Sequence, residues 1–291
     1  MMLQRVVPLF FFFGLISASS VAAAPAAIVD AVQLPATLVR NAREQPLAPG
    51  MEVRHGDQIS TGAGARVYLR LAEGSVVKMG ESATFDFYAT STRPETFFRG
   101  ALNVVKGAFR FTTGALAKLR GRDVQIRVGT ATIGIRGTDV WGRSNAEKDL
   151  VCLIEGHVDV RHPALAEPAD LAEPLSFFVA PKGVAPQAVG HVDPAQLAQW
   201  ALETEIAGDR PVLRAGGKGA LVLGVSTGER EALDRFDAAR SAGYPARIQP
   251  VSGADGWNYR VILSGFESAE AARRSAPVIA AALGMDVQPL R

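Results

Sequence analysis

Cysteine is almost missing from this chain, with one residue, Cys152, in 291. That count excludes a disulfide framework and any thiolate zinc site. A surplus of basic charge is missing too. The 31 Lys and Arg stand against 29 Asp and Glu, which excludes nucleic-acid binding driven by counterion release. Disorder is excluded by the opposite property, since 48% of the residues are hydrophobic and 21% are charged. Long apolar runs are confined to the N-terminus. A chain of this length predicts two domains, each large enough to close a core of its own.

Met1 to Ala24 has the order of a secretory signal. Arg5 is its only charge, Val6 to Ile16 is apolar, and Ser17 to Ala24 supplies small residues for a peptidase. Cleavage after Ala23 or after Ala24 fits this pattern, and an uncleaved anchor is the alternative. The apolar core is about 11 residues, where a membrane span needs about 20. The expected location is the periplasm or cell envelope, with no stable membrane span after cleavage. No cysteine near the cleavage region offers a lipid attachment point. Cys152 itself, within Leu150-Val151-Cys152-Leu153-Ile154, reads as an inert buried thiol rather than a nucleophile.

From about Val29 to Arg161 the sequence alternates with the period of strands. Val67, Leu69 and Leu71 interleave with polar neighbours before the turn Ala72-Glu73-Gly74-Ser75. Phe85 with Phe87, Phe109 with Phe111, Val124 to Val128, Ala131 to Ile135 and Val151 to Val160 repeat the pattern. Turn signals every 8–12 residues or so predict an all-β antiparallel sandwich or roll. Pro163 to Pro186 breaks the alternation. Asp193 and Pro194 then open a short helix as N-cap and first turn. Leu197 and Trp200 on one face predict that it folds back onto the β domain. The β domain with its terminal helix is thus set at residues 29–207, and residues 208–217 are the expected linker.

Residues 218–291 follow a different grammar. Ala220 to Val225, Ala246 to Val251, Trp257 to Leu263 and Asp286 to Leu290 read as strands. Between them lie a helix opened by a capping box at Ser226-Thr227-Gly228-Glu229 and stopped by Gly243, and a second from Ser268 to Gly284. Pro277 predicts a kink or an early end to the second helix. The order β-α-β-β-α-β predicts a ferredoxin-like α+β domain, with both helices on one face of a four-stranded sheet and the other face open. The fold class expected for the whole chain is therefore multidomain, all-β followed by α+β.

Two resemblances attach to these segments. Gly56-Asp57-Gln58-Ile59-Ser60-Thr61-Gly62, Val67 to Ser75, Ile133-Gly134-Ile135-Arg136-Gly137-Thr138-Asp139-Val140 and Ile154 to Val160 resemble the FecR domain family over about Val29 to Glu205. The resemblance implies an extracytoplasmic β module, in some members a signalling element. Tyr259 to Ser268, with Ala269-Glu270-Ala271-Ala272 after it and Leu221 to Val225 before, resembles SPOR domains, which bind peptidoglycan glycan strands stripped of stem peptides. From parity alone, Val222 and also Ala220 and Gly224 line the open side of the C-terminal sheet, with Arg247, Gln249 and Gln288. Either parity of the third strand could be core; the SPOR resemblance implies that Tyr259 lies on the open face. Trp257 joins it as a candidate glycan contact, the alternative being that the two rings only cover the sheet edge. Amide and guanidinium groups with an aromatic ring suit a sugar chain.

Metal and catalytic sets are not expected. His157 and Asp159 share a strand face, but His162 points away and no second cluster adds ligands. Gly129, Gly134 and Gly137 fit no phosphate-loop spacing. Neither the carboxylates, among them Glu155 and Asp139, nor the single thiol form a recognisable acid/base or nucleophile constellation. The expectation is a non-enzymatic envelope protein without cofactors. It docks on peptidoglycan through the C-terminal sheet and presents the β domain as scaffold or partner-binding module. The alternative is a periplasmic signalling component whose β domain senses a partner.

Overall fold

The computed structural model describes residues 25, 27–89, 97–114, 121–135, 137–208, 210–253 and 256–290. Residues 1–24, read above as a secretory signal, and Arg136 of the FecR-like motif lie outside the described residues. No helix among those described is long and apolar enough to cross a membrane.

Alternating hydrophobicity is realised as strands through most of the chain. In order they are β1 (Ala27–Gln33), β2 (Ala36–Arg40), β3 (Arg43–Pro46), β4 (Glu52–Val53), β5 (Gln58–Thr61), β6 (Arg66–Leu71), β7 (Val76–Met79), β8 (Thr84–Ala89) and β9 (Phe97–Thr112). Then follow β10 (Gly121–Val128), β11 (Ala131–Ile135), β12 (Asp139–Ser144), β13 (Lys148–Glu155), β14 (Val158–Arg161), β15 (Ala169–Leu171), β16 (Ser176–Pro181) and β17 (Gly190–His191). Helix α1 (Pro194–Leu202) and strand β18 (Val212–Arg214) close the N-terminal unit.

These strands form two layers. In the first sheet β1 lies beside β6, and the order runs on through β7, β9, β12, β13, β16 and β17. The second sheet runs β3, β2, β5, β8, β9, β10, β11, β14, β15. Strand β9 belongs to both. Its first half pairs with β8 and β10, and from Gly107 its second half pairs with β7 and β12. Gly107 has φ of +95°, and a Cβ there would lie 2.4 Å from the Ala83 Cβ, so the crossing demands glycine. Against the expected wholly antiparallel arrangement, β9 and β10 are parallel. The core between the layers is filled by Leu69, Phe109, Phe111 and Phe178 from the first sheet and Leu38, Ile59, Phe85 and Ile126 from the second, all fully buried.

The outer side of the first sheet is covered by the chain itself. Trp141, Leu150, Cys152 and Val179 face outward there and form a second apolar cluster with Leu197 of α1. Trp200 stacks on Trp141 with centroids 5.1 Å apart and an interplanar angle of 13°. Asp193 caps the helix, its carboxylate accepting from Ala195 N at 2.8 Å. Burial pushes the Cys152 thiol up to about 12, which keeps it protonated and unreactive at neutral pH.

The C-terminal unit contains β19 (Gly219–Ser226), α2 (Glu229–Ser241), β20 (Arg247–Gly253), β21 (Gly256–Phe266), α3 (Ala269–Leu283) and β22 (Gln288–Pro289). Its strands lie in the order β22, β19, β21, β20, all antiparallel. Three local details differ from the sequence reading. The expected capping box does not form, because Ser226 is still paired with Tyr259 in the sheet, and Gly228 is the N-cap of α2. Helix α3 continues through Pro277 to Leu283 rather than ending early; Pro277 is on the exposed side, where the carbonyl it leaves free can meet water. The segment read as a linker holds β18, which pairs with β1 on one side and, through Leu213 opposite Phe266, with β21 on the other. Backbone hydrogen bonding therefore continues from the first sheet into the C-terminal sheet, and Leu213 is fully buried at that joint.

Candidate binding surfaces

Register decides which side chains share the exposed side of the C-terminal sheet. Leu221 and Leu223 of β19, Val261 and Leu263 of β21 and Ile248 of β20 pack toward the helices. The opposite side carries two lateral rows. Gln288, Val222, Ile262 and Arg247 form one, and Val225, Arg260 and Gln249 the next. A bulge separates them, the register of β19 shifting between Val222 and Gly224. It turns Gly224 to the helix side, where the Arg235 stem comes within 2.8 Å of the site a Cβ would occupy.

Four of the six expected glycan contacts, Val222, Arg247, Gln249 and Gln288, thus share one face. Arg260 joins them, a residue the sequence reading left out because either parity of β21 could have faced the core; its pairing opposite Val225 and Gln249 places it there. Tyr259 is on the other face. It shares the parity of Val261 and Leu263, packs at the edge of the core, and donates its phenol to Glu229 Oε1 at 2.7 Å. Strand parity with the buried Val261 and Leu263 sets Tyr259 on the helix side, where Glu229 at the start of α2 accepts its hydroxyl. Trp257 shares the parity of Tyr259 and stands 61% exposed on β21.

The hydrogen bond to Glu229 raises the Tyr259 phenol above its ordinary value of 10.0, with a smaller contribution from burial. A Glu229→Gln substitution is expected to bring the Tyr259 titration back toward that ordinary value, read by NMR of the ring carbons between pH 9 and 12, roughly the range of protein tyrosines. An unchanged titration would mean that the bond is not populated in solution.

The second candidate surface is on the N-terminal unit. Residues after α1 extend the cover over the first sheet, where Glu205 accepts from Lys78 Nζ at 2.6 Å and from the Tyr68 hydroxyl at 2.8 Å. Burial, then the bond to Glu205, pushes the Tyr68 phenol up to about 12, against the lowering effect of the Ile206 N–H. Arg110 makes a two-pronged contact with Asp139 at 2.9 and 2.7 Å, and Arg143 reaches Glu203 at 2.8 Å. Lys78, Tyr68, Arg110 and Arg143 on the first sheet's outer side are therefore committed to partners within the chain.

The outer side of the second sheet has no such cover among the described residues. Gln58, Asp86 and Asn103 form a ladder on three neighbouring strands, with both amides donating to the Asp86 carboxylate at 2.7 and 2.9 Å. Further along the same side, Gln125, Arg127, Gly134, Asp159, Arg161 and Asp170 are exposed. Asp159 and Asp170 are directly paired across β14 and β15, and His157 hydrogen-bonds Asp170 while lying 4.0 Å from Asp159. Asp170 is the third member of this group that spacing alone did not bring to His157 and Asp159; strand pairing across a loop of seven residues does so.

Residues 57–159 match the family model described as FecR protein. The match lies within the N-terminal unit and takes in most of the open second sheet. No curated protein matches the chain. Two crystal structures of a "putative anti-sigma factor" from Parabacteroides distasonis are similar to it at 16% and 17% identity, with TM-scores of 0.41 and 0.40. Each likeness covers 50% of this chain, and 64% and 63% of the solved chains respectively, so less than two thirds of those proteins is spanned.

Proposed function

We propose that this FecR-domain chain is a non-enzymatic signalling component of the cell envelope, in which the FecR-like unit engages a protein partner through the outer side of its second sheet. One observation carries the reading. Within the unit that contains the family match, α1 and residues 203–206 cover part of the first sheet's outer side, whereas the second sheet, among the described residues, leaves a polar, charged face open. A flat polar sheet suits recognition of another protein better than enclosure of a small substrate. The FecR match and the anti-sigma-factor description of the structural neighbours are in keeping with it. In this reading the C-terminal unit localises the chain.

The test is crosslinking in cells from a photoreactive residue at Gln125 in the full-length chain, together with transcript profiling of a strain lacking the gene. A discrete crosslinked protein and altered expression of a defined gene set are the expected results. No crosslink at Gln125, with transcription unchanged, would remove the proposal.

A second reading is favoured by the C-terminal sheet. Its element order and strand order support a ferredoxin-like domain of the SPOR type, and Val222, Arg247, Gln249, Arg260 and Gln288 on one uncovered face suit a hydroxyl-rich glycan strand. With Tyr259 on the helix side, recognition there rests on hydrogen bonding rather than ring stacking. The mature protein should then pellet with amidase-treated sacculi without releasing sugar fragments, and Arg247→Ala with Gln249→Ala should weaken pelleting several-fold. Equal pelleting of the double variant would exclude this face.

A further inference from the structure

Arg127 of β10 and Arg161 of β14 both stand directly opposite Thr132 of β11, so the three side chains form one lateral row across three strands. Ile126, Val128, Ile133 and Val160 beside them are buried, which turns the row outward. With strands about 4.8 Å apart, the two arginine Cα atoms are about 10 Å from each other with β11 between them. That separation lets both guanidinium groups lean over the threonine from opposite sides. Arg40, Arg54, Arg70, Arg110 and Arg143 of the same unit all form ion pairs. Arg127 and Arg161 have no ion-pair or hydrogen-bond partner among the described residues, nor has the Thr132 hydroxyl.

The row borders a depression of about 510 Å³ completed by Gly129, Thr130, His162 and Pro163. Its far wall is fixed from within the protein. The Thr130 hydroxyl donates to the buried Asp149 carboxylate at 2.9 Å, and accepts from His162 Nε2 at 3.0 Å. His162 Nδ1 in turn accepts from Ala164 N at 3.2 Å. Both ring nitrogens are thereby engaged, one as donor and one as acceptor, which describes an uncharged imidazole acting as a wall. Asp86 lies in the same row beyond Asn103 and accepts from the Gln58 and Asn103 amides. Asp149 is fully buried and paired with Lys182 at 2.6 Å. Asp159 lies two residues before Arg161 on the same face and is flanked by His157.

We propose that the Arg127–Thr132–Arg161 row binds a carboxylate. Two planar guanidinium forks match the two oxygens of that group, and the threonine hydroxyl supplies a third donor beneath it. Asp159, one row away, opposes a second negative charge and so selects a monoanion over a doubly charged phosphate. The proposal deepens the partner reading by naming what the partner presents, an acidic side chain or a chain terminus. It rests on that reading only for the source of the carboxylate.

The experiment is an NMR titration of the full mature chain at low ionic strength with N-acetylalanine, its uncharged amide as control, and inorganic phosphate in parallel. Saturable shifts at the Arg127, Thr132 and Arg161 amides are expected with the acid and not with the amide. Arg127→Ala and Arg161→Ala should each weaken binding by about ten-fold, Arg127→Lys by less, and about 0.5 M salt should suppress it. All three substitutions are on the surface and should leave the melting temperature unchanged. An equal response to acid and amide, tighter binding of phosphate than of acid, or affinities unaffected by loss of either arginine would overturn the proposal. Carboxylate binding without a crosslink from Gln125 would instead retire the partner reading and leave the site standing.

Discussion

Asp149→Ala is expected to destabilise the N-terminal unit by about 2–3 kcal/mol, the cost of removing a buried, multiply hydrogen-bonded carboxylate whose ammonium partner is a third exposed. The carboxylate is fully buried and accepts from Lys182 Nζ at 2.6 Å, from Thr130 N and Oγ1 at 2.9 Å each, and from Ser144 Oγ at 2.7 Å. It ties the turn between β10 and β11 to β12, β13 and the end of β16. Removing it takes the acceptor from the partly exposed Lys182 ammonium and from three further donors. Against a total stability of roughly 5–15 kcal/mol for a domain, that loss is decisive. The pH dependence has a definite sign. Burial by itself would raise the acid's pKa, but the hydrogen bonds from Lys182, Thr130 and Ser144 outweigh it and hold the folded value below the ordinary 3.8. A depressed carboxylate contributes its stability in full above the unfolded pKa and loses it as pH falls through the folded one. Urea titrations of the natural protein should therefore show a decline in stability below about pH 4, and the Asp149→Ala protein a flatter one. Equal stability of the two proteins at neutral pH would refute the role.

Leu213→Ala is expected to cost about 2–5 kcal/mol and to divide one thermal transition into two. Leu213 is the fully buried residue of β18, set between Val32 of β1 and Phe266 of β21. Its side chain fills the place where the two units share a sheet edge, and truncation leaves a void neither unit can close without pulling away from the other. Calorimetry on the full chain reads both effects. A single transition at the original midpoint would show that contacts elsewhere, such as those of α2 with β3, couple the units instead.

The strand-rich character of the N-terminal unit was legible because each layer turns one face to the core and the other outward. Val67, Leu69 and Leu71, and Phe85 with Phe87, had to alternate with polar residues. Helix α1 was legible through Asp193 and Pro194, whose preferences are local. What remained hidden depends on partners distant in sequence. Nothing local says that β10 lies parallel to β9, or that Asp170 meets His157. The short strand β18 is three residues between two turn-rich stretches, with too little pattern to stand out from a linker. Tyr259 shows the limit most clearly. Both parities of β21 offered apolar residues, Trp257, Val261 and Leu263 against Ile262, and what decides between them is the packing of Val261 and Leu263 against helices distant in sequence. The Arg127–Thr132–Arg161 row was invisible for the same reason, since it exists only once three strands are in register.

Strand β9 gives the N-terminal unit a mechanical character of its own. Layers built from separate strands can slide over one another like stacked plates, but here one continuous backbone is woven into both. A push against β10 on the outside of one layer is passed along β9 into the other, and from there across β7 and β6 to β1, β18 and the C-terminal sheet.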